Sequence, residues 1–97
     1  MIYAAEARQQ IEALRDHYER LDRLEAVIRL QAALAEAEQR IETEPHAGLP
    51  APRPYPELAR GERAWIKAGR YWIAYRLTKP PVILGVFYET ADLPRRV

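Results

Sequence analysis

Five prolines fall in the twelve residues from Pro45 to Pro56, with Gly48 among them. Proline has no amide hydrogen, fixes φ, and pushes the residue before it out of helical conformation. No regular element can run through such a stretch, so the chain is cut there into two parts. Before the cut, apolar residues recur at helical spacing. After it, the period drops to two.

In the first part, Ile11, Leu14, Tyr18 and Leu21 recur at three- and four-residue steps, while Glu6, Arg8, Glu12, Arg15, Asp16 and Glu19 take the remaining surface. That is the pattern of an amphipathic helix. It restarts at Leu24, Val27, Ile28, Leu34 and Ile41 and must stop near Glu44, before Pro45. Asp22, followed three residues later by Glu25, has the spacing of a capping box, in which a carboxylate accepts from first-turn amides and the glutamate reaches back. Residues 5–44 thus read as an antiparallel helical hairpin, with one long helix as the alternative. Residues 45–60 read as a stiff loop pinned along the surface, with one helical turn after Tyr55 closed by Gly61.

In the second part, Tyr71, Ile73, Tyr75 and Leu77 point one way and Trp72, Ala74, Arg76 and Thr78 the other. Residues 82–88 are apolar on both faces, as expected of a strand covered on both sides. Lys79-Pro80-Pro81 connects these two strands, a further strand over residues 64–68 turns at Gly69, and residues 2–4 supply a short edge strand. The expected architecture is α+β in the order β-α-α-β-β-β. The hairpin packs on one face of a small antiparallel sheet spanning about residues 62–88, all within one domain of residues 1–97. Its core should contain Leu14, Tyr18, Val27, Leu34, Ile73, Tyr75, Leu84 and Val86.

Composition narrows the chemistry. Zero cysteines exclude disulfides, thiol catalysis and Cys-based zinc sites. Two histidines, His17 and His46, are too few for a His-rich metal site; neither metal nor cofactor is expected. No apolar run approaches the roughly 18 residues of a membrane span, and the chain opens on no charged-then-apolar leader, so a cytoplasmic protein without membrane attachment is expected. Nucleotide-loop, serine-hydrolase and zinc-peptidase motifs are all missing. Asp16 and His17 are adjacent on a helix and do not face each other. Glu36, Glu38, Glu42 and Glu44 spread over a solvated face.

Charge is divided between the two parts. Residues 1–45 carry six Arg and ten Asp/Glu, a balance of −4, whereas residues 46–97 carry nine Lys/Arg and four Asp/Glu, a balance of +5. Seven of the nine aromatics lie at or after Tyr55, so basic and aromatic side chains interleave at Arg63, Trp65, Lys67, Arg70, Trp72 and Arg76. Two readings fit that group. Arginines on phosphates with tryptophans stacked on bases would bind nucleic acid; alternatively the tryptophans complete the core and the arginines form its rim.

In order and motif, the chain resembles the RelE/ParE superfamily of bacterial toxins from type II toxin–antitoxin modules. Glu44-Pro45 and Gly48 match a step that follows the second helix in that family. Gly69, Tyr71, Ile73, Tyr75 and Arg76 fit its Gly-x-Tyr-x-Ile-x-Tyr-Arg strand, and Asp92, Leu93 and Pro94 fit the close of its terminal motif. The resemblance spans essentially the whole chain. It implies either of two activities. Ribosome-dependent members cleave mRNA by acid–base chemistry on the ribose 2′-hydroxyl, and the residues here that would serve are Arg63, Lys67, Arg76 and Tyr88. The usual terminal His, however, reads Tyr88; the Arg of the same motif reads Ala91, and an Arg early in the central strand corresponds to Trp72. Those departures make the chain more similar to the ParE branch, whose members poison DNA gyrase by binding. A toxin that retains only antitoxin binding is a third possibility.

The resemblance also implies a hetero-oligomer with a cognate antitoxin, whose helix and strand wrap the toxin's sheet and helical groove. Antitoxin contacts are expected at Ile2, Arg63, Trp65 and Lys67 and on the outer surface of the hairpin, with Trp65 as the foremost anchor. The first strand departs from the family in being short, and Ala4 stands where a helix-capping Ser or Thr is usual.

Overall fold

The computed structural model describes residues 1–97. Strand β1 (Ile2–Tyr3) leads into helices α1 (Ala5–Arg20) and α2 (Leu24–Thr43). The proline segment follows, with short 3-10 turns at Pro45–Ala47 and Pro56–Leu58. Strands β2 (Arg63–Ala68), β3 (Tyr71–Arg76) and β4 (Val82–Tyr88) and a terminal turn of helix α3 (Leu93–Arg96) complete the chain. This is the expected β-α-α-β-β-β order.

The sheet runs β1-β4-β3-β2. Strands β2, β3 and β4 form an antiparallel meander, but β1 pairs with β4 in parallel, Ile2 against Val82 and Tyr3 against Ile83. The sheet is therefore mixed, where an antiparallel one was expected. The helical hairpin explains the difference. Two antiparallel helices carry the chain out and back to the end of the sheet where β1 lies, and β2 begins at that same end, with Arg63 aligned through Arg76 and Val82 to Ile2. Strands β1, β2 and β4 then share one direction. Gly69, at φ +55°, takes the left-handed position in the tight turn between β2 and β3.

The joint between the helices differs from the expected capping box. Asp22 takes a left-handed φ of +55°. The Arg23 N–H donates to the Tyr18 carbonyl at 2.8 Å and the Asp22 N–H to the Glu19 carbonyl at 3.0 Å. Those two bonds close α1 as a Schellman motif, with aspartate in the place more often held by glycine. Asp22 thus ends the first helix and does not begin the second. The Glu25 carboxylate accepts from its own backbone N–H and from Arg23, at 3.2 Å, and these hold it below the usual carboxylate range.

Helix α2 buries Ala26, Val27, Leu30, Ala33, Ala37 and Ile41, a stripe at helical spacing in which alanine is the commonest residue. Small residues let the helix come close to a sheet face already filled by Tyr71, Ile73 and Tyr75. The large residues that suggested a different phase, Leu21, Leu24 and Ile28, are 55%, 69% and 57% exposed at the tip of the hairpin. Of the expected core, Tyr18, Val27, Ile73, Tyr75 and Val86 are buried, and Leu14 and Leu34 pack partly buried at its margin.

Leu84 lies on the other face of the sheet. Ala74 pairs with Gly85 and Tyr75 with Ile83, so Leu84 is an extra residue in a bulge. The bulge sends Ile83 and Val86 toward the helices and Leu84 and Phe87 away from them. A Cβ on Gly85 would meet the Phe87 ring at 2.7 Å. Beyond the two residues of β1 the edge of β4 is open, and there the Gln10 side chain of α1 accepts the Val86 N–H at 2.8 Å.

The second face has its own core of Leu58, Trp65, Trp72, Ala74, Phe87 and Leu93. The proline segment and α3 cover it. Leu49 and Trp65 exchange both backbone hydrogen bonds at 2.7 Å, which lays the loop along the edge of β2.

Candidate functional site

Two surfaces concentrate unusual side chains. The first is a groove of about 700 Å³ at the tip of the helical hairpin, lined by Leu14, His17, Tyr18, Arg29, Tyr71 and Tyr88 among others. Its floor is set by aromatic packing. The hydroxyls of Tyr18 and Tyr71 lie 2.6 Å apart and are buried, and the rings of Tyr71 and Tyr88 meet edge-on with centroids 5.6 Å apart. Burial, followed by the bond to Tyr18, pushes the Tyr71 hydroxyl well above its ordinary pKa. At neutral pH it is a neutral hydrogen-bonding group. The exposed Leu21, Leu24 and Ile28 extend the apolar character of this end of the molecule.

The second surface lies at the turn that joins β2 to β3. Arg70 sits in the turn, and the backbone N–H of Glu89 donates to the Arg70 carbonyl at 2.8 Å, extending the β3–β4 ladder by one step. That register brings the Glu89 carboxylate to 3.2 Å from Lys67 Nζ and 2.9 Å from Arg70 Nη1. Lys67, then Arg70, hold Glu89 below the usual carboxylate range, against the opposing effect of desolvation. Lys67 Nζ also stands 5.8 Å from the centre of the Trp72 ring.

Of the four side chains considered for RNA cleavage, Arg63 and Arg76 are cross-strand partners, and the strand alternation puts Lys67 on their face, whereas Tyr88 lies on the other. Arg63 is half-buried, donates through Nη2 to the Leu58 carbonyl, and lies 5.3 Å from the centre of the Trp65 ring. Burial, with a smaller contribution from Arg60, lowers its pKa. Lys67 is paired with Glu89, and Arg76 is exposed at the far end of β3. Tyr88 packs with Tyr71 on the helix side of the sheet, the face opposite Trp65 and Trp72. The nuclease set is thus divided between two faces.

Among the expected antitoxin contacts, Ile2 is 47% exposed on the β1 edge. Trp65 requires a correction. It is 0% exposed beneath the proline segment, so it is a core residue of the second face and not a surface anchor. Its position followed from strand alternation, but alternation cannot reveal that a loop covers the second face. The basic–aromatic group therefore matches the core-and-rim reading: Trp65 is buried in the second core and Trp72 nearly so, with charged residues at its margin.

Sequence reasoning missed Gln10, Glu38 and Glu89. Glu38 accepts from the Tyr3 hydroxyl and so ties β1 to α2. Glu89 could have been found from register alone, because pairing Tyr71 with Tyr88 sets residues 70 and 89 opposite each other. No group of three or more His, Asp or Glu side chains is arranged to hold a metal ion.

A small four-stranded sheet thus carries a helical hairpin on one face and the proline segment with α3 on the other, an α+β scaffold. Residues 1–88 match the family model described as the ParE toxin of the type II toxin–antitoxin system parDE. The chain belongs to the ParE toxin family. No curated protein matches the sequence significantly.

Proposed function

We propose that this toxin arrests growth by binding its target, DNA gyrase, and that a cognate antitoxin neutralises it in a cytoplasmic toxin–antitoxin complex. The observation that carries this reading is the division of Arg63, Lys67, Arg76 and Tyr88 between two sheet faces. Cleavage at a 2′-hydroxyl needs an acid and a base within hydrogen-bond reach of one ribose and its phosphate. Here Tyr88 is packed on the side away from Arg63 and Lys67, and Glu89 neutralises Lys67. A protein poison needs no such convergence, only complementary surface.

The exposed β1 edge and the apolar tip at Leu21, Leu24 and Ile28 are suited to receive an antitoxin strand and an amphipathic helix. The β2 edge is less suited, because Leu49 already pairs with Trp65 and Arg40 Nη1 donates to the Lys67 carbonyl at 2.7 Å.

Induction of the toxin in cells without antitoxin tests the reading. The expected outcome is DNA-damage signalling with filamentation while transcripts stay intact. Rapid cleavage of mRNA at the onset of arrest would overturn it in favour of a ribosome-dependent nuclease.

A further inference from the structure

Three arginines gather at the end of the sheet where β2 starts and β3 stops. Arg63 and Arg76 stand directly opposite each other. The Leu77 N–H donates to the Glu62 carbonyl at 2.7 Å. By the alternation of an antiparallel ladder, the next pair, 63 and 76, is then a non-hydrogen-bonded one, in which facing side chains come closest. Like charges so placed are destabilising. Arg60 joins them from the turn that precedes β2. Its Nη1 donates to the Glu57 and Ala59 carbonyls at 3.0 and 2.8 Å, and Arg63 Nη2 donates to the Leu58 carbonyl between them. Two guanidinium groups are thus fixed by successive backbone carbonyls, which are neutral, so their charge is held in place without being cancelled. Arg76 is exposed and makes no side-chain hydrogen bond. None of the three arginines forms an ion pair, and Arg63 Nε is buried with no acceptor. The lowered Arg63 pKa, from burial and then from Arg60, is what a partly desolvated cation beside another shows.

We infer that Arg60, Arg63 and Arg76 form a binding site for a phosphate group. A phosphate ester brings close to two negative charges and three strong acceptor oxygens, enough to accept from several guanidinium groups at once. A carboxylate brings one charge and two oxygens, which a single arginine fork already satisfies. Two of the three donors are held in position before any ligand arrives, so little ordering opposes binding. The site reads the phosphate and not a base, because Trp65 is 0% and Trp72 8% exposed and neither ring offers a stacking face. A free phosphate ester and a nucleic-acid backbone present the same group. Holding that group needs no acid or base, and Tyr88 lies on the other face of the sheet, so the site is one of binding and not of cleavage. It goes beyond the gyrase reading and does not depend on it.

The test is a titration of the full ¹⁵N-labelled chain with inorganic phosphate at neutral pH, read at the Arg63 Nε–H and the Arg76 amide, with acetate at matched ionic strength as the control. The expected result is a saturable shift of both signals that acetate does not produce. Arg76→Gln, at an exposed position, should weaken phosphate binding about tenfold, equivalent to about 1.4 kcal/mol, and Arg76→Lys should retain most of it. Thermal melts supply a second readout. Without phosphate, Arg76→Gln should melt no lower than the wild type, because it removes a like-charge pair; phosphate should then raise the wild-type melting temperature more than that of the variant. Three results would overturn the inference: no shift at tens of millimolar phosphate, equal shifts with acetate, or unchanged phosphate affinity in Arg76→Gln. A mononucleotide and a short DNA duplex separate the two sources. Duplex binding that weakens with salt, less steeply in Arg76→Gln, assigns the phosphate to a nucleic-acid backbone; shifts without any response to the duplex assign it to a free ester. Neither gyrase nor antitoxin enters the experiment, so its failure leaves the gyrase reading untouched.

Discussion

Single residues with little chemistry of their own decide much of this fold. Gly48 is one. A Cβ there would lie 2.3 Å from the Tyr75 hydroxyl oxygen and 3.0 Å from the Ala64 Cβ. The same hydroxyl donates to the Pro45 carbonyl at 2.6 Å, which ties the proline segment to the core strand. Gly48→Ala should therefore destabilise the protein by about 1–3 kcal/mol, as overpacking does. Adding Tyr75→Phe removes the clashing oxygen, so the double variant should lose less than the sum of the two singles. Urea denaturation of the four proteins measures the coupling; additive losses would show that the close approach is not the cause. The glycine stands out in the sequence only through its family motif, because nothing local announces that a tyrosine 27 positions later will reach it.

Glu89 gives a second residue-scale prediction. Its carboxyl is held below the ordinary range by Lys67 and then Arg70. A depressed native pKa means that the unfolded chain binds the proton more readily. The resulting stabilisation is present above the unfolded value of about 4.3 and is lost as pH falls through the lower native value. Thermal melts should show the wild type above Glu89→Gln at neutral pH, with the gap closing in acid and narrowing in high salt. A gap independent of both would mean that the substitution acts through packing.

At the scale of elements, pattern reading captured type and order and erred on phase and cover. The helical part, its end before Pro45 and the three-strand meander follow from periodicity and prolines, whereas the joint at Asp22 and the two-residue β1 do not. The inner face of α2 does not, because Ala26, Ala33 and Ala37 do the packing there, and alanine carries little weight in a hydrophobic pattern. Leu30→Ala should cost about 2–5 kcal/mol, whereas Leu24→Ala, at a site 69% exposed, should fall within about 0.5 kcal/mol of wild type. Thermal or urea unfolding distinguishes them, and a reversed order would restore the phase suggested by the large residues. The bulge at Leu84 was equally invisible, since alternation assigns residues 84 and 86 to one face and only the pairing partner reveals the extra residue. Asp22 shows a different ambiguity. The same short polar side chain that caps helix starts also tolerates left-handed backbone, and in this chain the second property prevails.

At the scale of the molecule, the charge division read from the sequence maps onto structure. The −4 part is β1 and the helical layer; the +5 part is the loop, the meander and the C-terminal turn. No helix is long and apolar enough to cross a membrane. The two apolar sheet faces have different covers, helices on one and the proline segment with α3 on the other. The candidate site was less accessible to sequence reasoning than the fold. The family motifs locate the strands, but whether basic side chains are free depends on Glu89 and on a loop closing over Trp65, both set by tertiary contacts. The central claim is that this scaffold poisons by binding and lacks a joined nuclease site. Supercoiling by purified DNA gyrase, assayed with increasing toxin, tests it most directly when Tyr88→Phe toxin is run alongside. The account predicts that both proteins inhibit supercoiling and that neither cleaves mRNA in a translating extract. Undiminished supercoiling, together with mRNA cleavage that Tyr88→Phe abolishes, would contradict it.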